Sequence, residues 1–358
     1  MTTGRHRASG RSPRVFAVIV AMLALLIVGV LVRSTFGSKA GPSGARGASP
    51  AVPSTAPTRP RDGSATPSAS STPVRRGKLV IHGAGDTNVQ PDYIGVSPSN
   101  YGYLLSGMNG LFLRDDLSVV NLECPASKVG SPLPKEFAFR CDPGALPFLK
   151  RGGIEVANMA NNHSWDLGPD ALEDTRRNIE GAGMAAVGAG RDPDEAEEPA
   201  IFHLNGWTVA VVGLDEVVDP PQEVAGPDHP GTACGHDVGC MVRAIRRAAE
   251  ASDLVVVDIH WGVELDTQPR GYQVEQGKRF VAAGADVIFG GHSHRLQPLS
   301  FVHGKPVFWS LGNFVWPHFS EEGARTAVGE VVVRPSGRIT AELLPVYIAA
   351  SGHPVLSE

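Results

Sequence analysis

Asp286-Val287-Ile288-Phe289-Gly290-Gly291-His292-Ser293-His294 is the stretch on which the reading of this chain turns. Val287, Ile288 and Phe289 form a short apolar run of strand-forming residues, and Gly290-Gly291 lets the backbone turn sharply where it stops. In an extended segment, residues two apart share a side, so His292 and His294 are expected to face one target roughly 6–7 Å apart along the chain. Two histidines on one face past a buried strand suit the bracketing of two metal ions about 3.5–4 Å apart. A loop with two solvated histidines would look the same, so the reading depends on partners elsewhere.

Such partners recur where other apolar runs end. Asp86 follows Gly83-Ala84-Gly85, Glu123 follows Val119 to Leu122, Asn162 and His163 follow Val156 to Asn161, and His260 follows Val255 to Ile259. In open α/β sheets, sites form outside the carboxyl ends of strands, where loops from several strands converge. Carboxylate, imidazole and amide oxygen together suit a divalent Mn, Fe or Zn better than Ca or Mg, as one or two ions. Each residue alone has a plainer explanation. Asp86 reads as a turn or cap, Glu123 as an edge charge, and Asn162 as a turn residue. His163 reads as a surface histidine, Asp166 as a helix cap, and His260 as a hydrogen-bonded core histidine. So many at strand ends are hard to explain separately.

The rest of the chain sets the context. The formal net charge of −5 hides an asymmetry: residues 1–77 carry eleven Lys and Arg against Asp62, leaving 21 bases and 36 acids in the remainder. An acidic domain is a poor general partner for nucleic acid or any polyanion. Residues 1–14 form a basic tail, and the uninterrupted apolar run 15–32 is long enough, at ~27 Å of helix, to cross the hydrocarbon core as a signal anchor. The basic flank places the tail in the cytoplasm and the remainder outside it; a cleaved signal peptide is the other reading. Residues 33–77, rich in Pro, Ser, Ala and Gly, read as a disordered linker.

From residue 78 to about 350, strands alternate with helices and hairpins, which predicts a layered α/β domain. Cys124, Cys141, Cys234 and Cys240 show no C-x-x-C spacing. In an exported protein they suggest disulfides, with Cys124–Cys141 and Cys234–Cys240 the shortest-loop pairing; four separate thiols are the alternative.

Taken in order, Gly85-Asp86, Asn121-Leu122-Glu123, Ala160-Asn161-Asn162-His163 with Asp166 and Gly168, His260-Trp261-Gly262 with Glu264, Gly291 to His294, and Leu311-Gly312-Asn313-Phe314 resemble the motifs of the capsule-synthesis CapA family. That family includes membrane-anchored components of bacterial poly-γ-glutamate production. The resemblance covers about Leu79 to Phe314. The family is in turn similar to the calcineurin-like metallophosphoesterases, which implies a four-layer α/β/β/α sandwich. It implies that Asp86 and His294 hold one metal and that Asn162, His260 and His292 hold the other. Glu123 takes the place of a bridging aspartate, and Asn88 stands where the phosphoesterases have a histidine. His163, oriented by Asp166, would protonate or stabilise the leaving group. Implied partners are an anionic polymer such as poly-γ-glutamate, the membrane, and subunits of a capsule-synthesis complex. Two functions follow: a metal-dependent hydrolase, or a non-catalytic accessory that binds polymer and helps export it. A site kept only to stabilise the fold is the third.

Overall fold

The computed structural model describes residues 75–218 and 221–357. The expected tail, apolar span and linker up to residue 74 lie outside them. Among the described residues no helix is long and apolar enough to cross a membrane.

In chain order the first strands are β1 (Leu79–Thr87), β2 (Leu117–Leu122), β3 (Val156–Asn158), β4 (Ala185–Val187) and β5 (Ala189–Gly190). Next come β6 (Ala200–Leu204), β7 (Trp207–Asp215), β8 (Gly231–Thr232), β9 (Leu254–His260) and β10 (Val287–Gly291). The last are β11 (Leu299–Val302), β12 (Lys305–Phe308), β13 (Arg325–Val333), β14 (Ile339–Ala350) and β15 (His353–Leu356). They form a seven-stranded sheet in the order β15-β14-β13-β1-β2-β3-β4, a six-stranded sheet β11-β12-β10-β9-β7-β6, and a small β5-β8 pair.

The pattern of buried apolar side chains fixes the layers. Ile81, Val119 and Val331 of the first sheet share a core with Val211, Val256 and Phe289 of the second. Gly83 makes this contact close, since a Cβ there would meet the Phe289 ring at 2.5 Å. On its other face the first sheet packs Val120 and Ala157 against the helices Leu146–Arg151 and Pro169–Gly181. The second sheet packs Val255, Val257 and Ile288 against the helices Val238–Ala251 and Gly271–Ala283. The layers therefore run helix, sheet, sheet, helix. Strands covered on both faces read as continuous apolar runs, and every residue of β9 is buried.

β1, β2, β3 and β4 are mutually parallel, as are β7, β9, β10 and β12. Parallel strands deliver their carboxyl ends to one rim of each sheet. The two hairpins turn at Asn205-Gly206 and His303-Gly304, all four with positive φ, as two-residue turns require.

Several boundaries differ from expectation. Of the run from Val156 to Asn161 only β3, three residues, is strand, and β1 continues through Gly83-Ala84-Gly85 to Thr87. Contacts begin before residue 78: Gly77 N donates to Asn205 O (2.7 Å), Trp207 Nε1 donates to Gly77 O (2.9 Å), and Arg76 lies over the Trp207 ring. At the other end β15 carries the fold past 350. Both disulfides, Cys124–Cys141 and Cys234–Cys240, are formed.

Candidate metal centre

The strand ends of both sheets converge on one buried cluster. The first sheet contributes Asp86 from β1, Glu123 from just past β2, and Asn162, His163 and Asp166 from the loop after β3. The second contributes His260 at the end of β9, and His292 and His294 just past β10. His260 Nε2 lies 2.9 Å from Asn162 Oδ1, 3.1 Å from His292 Nδ1 and 3.4 Å from Glu123 Oε1. His294 Nδ1 lies 3.2 Å from Asp86 Oδ2, and His294 Nε2 lies 3.7 Å from Glu123 Oε1. Two overlapping sets, Glu123–His260–His292 and Asp86–Glu123–His294, each keep their ligand atoms within 4.8 Å of one another. Glu123 belongs to both.

The two histidines of the opening motif reach this cluster by a different route from the extended geometry expected of them. His292 and His294 both adopt positive φ, at 87° and 52°, so alternation along a strand is not what aims them. Such backbone is strained for a side-chain-bearing residue and persists only where its surroundings hold it. Here His292 N donates to Asp86 Oδ2 (3.1 Å), and Ser293 Oγ donates to Arg295 O (2.8 Å). Gly291 has no room for a side chain: its Cβ would lie 2.5 Å from Asp86 Oδ1.

Electrostatics separate the members. Burial pulls His260 down to about 3 and His292 down to about 2, so both imidazoles are neutral with a lone pair to offer. Burial opposes the charge on Asp86, but the hydrogen bond and charge of His294 outweigh it and carry Asp86 to about 2. Burial likewise opposes charge on His294, yet Glu123 and Asp86 raise it to about 9. Burial, then the charge of Asp86, pushes Glu123 well above the usual carboxylate range. Glu123 is fully buried, and neither of its oxygens accepts a hydrogen bond. An unpartnered buried carboxylate is expensive, and a cation is the partner that these lone pairs lack. The donor set therefore fits a divalent ion.

A second group of contacts fixes His163. Its Nδ1 lies 2.8 Å from Asp166 Oδ2, which also accepts from Phe139 N (2.7 Å). Lys135 Nζ pairs with Asp166 Oδ1 at 2.6 Å and donates to Asn162 O at 2.7 Å. His163 Nε2 is thereby turned toward Glu123, 4.0 Å away.

Sequence reasoning gave no role to Lys135, Asn121, Asn161 or Asn313. Asn121 Nδ2 donates to Asp86 Oδ1 (2.8 Å) and lies 3.1 Å from His260 Nδ1. Asn161 Nδ2 donates to Asn121 Oδ1 (2.9 Å) and Leu122 O (3.0 Å), tying the loops after β2 and β3 together. Asn313 Oδ1 lies 2.9 Å from His294 Nδ1. The three asparagines sit inside the quoted motifs, which was a usable signal. Lys135 lies in coil between Cys124 and Cys141, and nothing local marks it. Asn88 is buried, and its Oδ1 accepts from Gln90 N (2.8 Å).

Comparison with known proteins agrees with the family resemblance. The family described as "Bacterial capsule synthesis protein PGA_cap" matches residues 74–318. The Bacillus subtilis "PGA biosynthesis protein CapA" is 30% identical over 66% of this chain and 63% of its own length. The Bacillus anthracis "Capsule biosynthesis protein CapA" is 32% identical over 58% of this chain and 52% of its own. A Mycobacterium tuberculosis "Probable polyglutamine synthesis accessory protein" is 29% identical over 56% and 55%. The chain thus spans between half and two thirds of the length of these relatives. Among solved structures, Haemophilus influenzae NAD nucleotidase (NadN) aligns at 13% identity and a TM-score of 0.46, covering 76% of this chain and 50% of that one, a likeness too slight to bear on function.

Proposed function

We propose a function from one premise: the chain belongs to the bacterial capsule synthesis family. In this reading it takes part in making or exporting an anionic envelope polymer of the poly-γ-glutamate kind, and its buried cluster is a metal-dependent hydrolase site. The observation that carries the reading is Glu123, a fully buried carboxylate without a hydrogen bond, shared between two sets of histidine and carboxylate donors.

Asp86, Glu123 and His294 would hold one divalent ion, and Glu123, Asn162, His260 and His292 a second. When bound, such an ion polarises a phosphoryl or carbonyl oxygen and makes water more acidic. The chain's own residues supply the rest. His260 and His292 are neutral and need lose no proton to ligate. Asn121 holds Asp86 by a hydrogen bond and Asn313 faces His294, so both first-set ligands are oriented by amides. Asp166 fixes one nitrogen of His163, leaving Nε2 to hold a proton for the departing oxygen or nitrogen. The apolar span and its arginine flank support a membrane anchor with the domain outside the cytoplasm, and two disulfides fit that oxidising compartment.

The M. tuberculosis relatives are named as accessory proteins, which favours a second reading in which the same cluster binds polymer without cutting it. One experiment separates the two. The purified full-length chain is assayed for Mn, Fe and Zn, then incubated with poly-γ-glutamate and with phosphoesters. Stoichiometric metal, lost in His292→Ala/His294→Ala, supports the site. Turnover that falls roughly 10²–10⁴-fold in His163→Ala with metal retained supports the hydrolase. Polymer binding without turnover supports the accessory role, and absence of retained metal removes both. Release of the protein from membranes by alkaline carbonate would end the anchor proposal.

A further inference from the structure

A cavity of ≈ 300 Å³ opens from the cluster to solvent, and its walls are rings. The Phe139 ring lies 4.5 Å from His163 and the Trp316 ring 4.7 Å from His294, so the aromatic wall begins at the cluster itself. Tyr93 joins them, 4.8 Å from Phe139 and 5.6 Å from Trp316. Farther out, Phe319 lies 5.7 Å from Tyr93 and Phe137 lies 6.4 Å from Phe139. These two are 72% and 56% exposed, among the most exposed large apolar side chains of the described residues. Aromatic rings left open to water beside a buried polar cluster mark a place where something apolar is covered.

The charges of the wall say what that is. Besides histidines, its charged lining residues among those described are Glu264 and Arg295, and Arg295 already donates to His294 O (2.8 Å). A chain with a carboxylate on every unit would find the single guanidinium of Arg295 offset by Glu264, and otherwise ring faces, which carry negative potential. An uncharged ring with an apolar face would instead lie on them and remove apolar surface from water.

We propose that this cavity is a subsite for an uncharged ring with an apolar face, carried by the substrate next to the anionic group held at the cluster. The inference rests on the metal-site reading for where that anionic group sits, and it narrows that reading to ring-bearing phosphoesters rather than the polyacid chain. Sugar and aromatic rings both present the required face.

Binding of phenyl phosphate, glucose 6-phosphate and glycerol 3-phosphate to the full-length chain would be measured by calorimetry, with Mn²⁺ and after chelation. The ring-bearing esters are expected to bind roughly tenfold tighter than glycerol 3-phosphate. Phe137→Ala/Phe319→Ala, which alters only exposed rings, is expected to bring that ratio to about one. A preference for phenyl over glucose phosphate assigns an aromatic ring, and the reverse assigns a sugar. Equal affinities, a ratio unmoved by the double variant, or no binding of either ring-bearing ester overturns the subsite. Dependence on Mn²⁺ reports on the cluster alone. Ring preference that survives chelation unchanged keeps the subsite and counts against the metal reading.

Discussion

His82 and Asp86 stand on the same strand, and each anchors a buried cluster of histidine and carboxylate. Around His82 the protein supplies every partner the ring asks for. Its Nδ1 lies 2.6 Å from Asp115 Oδ2 and its Nε2 lies 3.2 Å from Glu330 Oε2. Ser118 Oγ donates to the same Asp115 oxygen, and Phe112 packs edge-on against the imidazole. Around Asp86 the same residue types are left incomplete. Glu123 accepts nothing, and His260 Nε2 is crowded by an amide oxygen, a carboxylate oxygen and a second imidazole. Buried histidines and acids together are therefore no sign of function. What separates the two clusters is whether protein donors alone can satisfy the acceptors, and in the second they cannot.

The largest expected effect tests the satisfied cluster. His82→Ala leaves the Asp115 carboxylate, 2% exposed, without its imidazole. Removing one partner of such a pair is expected to cost about 3–5 kcal/mol, read from the shift in denaturant midpoint at unchanged slope. Metal content of the purified variant should not change. A variant that loses metal together with stability would show that the two clusters are one unit and that the contrast is false.

A smaller effect is expected where the incomplete cluster is tied to a well-satisfied neighbour. Asp166 is fully buried and its oxygens face His163, Phe139 N and Lys135. Lys135→Met removes the ammonium from one of them and should lower stability by about 1–3 kcal/mol. Because Lys135 also holds the carbonyl of Asn162, turnover or polymer binding should fall while metal content stays near that of the parent. Lys135→Arg should recover part of both losses. If Lys135→Met changes neither stability nor function, the contact is a solvated surface pair.

Much of this was legible in the chain because strand ends announce themselves. The apolar runs before Glu123, Asn162, His260 and His292 gave the parallel strands, and polar residues just past them gave the cluster. The Asn205-Gly206 turn is legible for the same local reason, since two-residue hairpin turns with positive φ favour that pair; His303-Gly304-Lys305 reads as a three-residue connection, whereas Lys305 already belongs to β12. What sequence did not carry is what depends on tertiary contact. β4 is three residues long and β15 four, too short for a periodic pattern, and each is fixed by the neighbour it pairs with. The positive φ at His292 accompanies a hydrogen bond from its backbone N–H to Asp86, some two hundred positions earlier. Lys135 and the exposed rings of Phe137 and Phe319 lie in loops whose meaning appears only once β3 and β10 bring His163 and His294 beside them.

The smallest expected change in stability is the most informative about the contrast. Glu123→Gln keeps the shape of the side chain and replaces an acceptor with a group that donates as well as accepts. In an ordinary buried hydrogen-bonded pair, such as the one at His82, the exchange would be damaging. At Glu123 no protein donor is lost, since none is present, and the new amide, which can donate or accept, meets His260 Nε2 at the 3.4 Å contact and His294 Nε2 at the 3.7 Å contact. In chelated protein the variant should therefore sit within about 1 kcal/mol of the parent, on either side of it. Its metal content, in contrast, should fall to a small fraction, because both donor sets lose the oxygen they share. A small cost in stability with nearly complete loss of metal is the behaviour of a residue placed for a ligand. A loss comparable to that of His82→Ala, with metal retained, would mean that Glu123 is held by the protein after all, and the two clusters on β1 would then be alike.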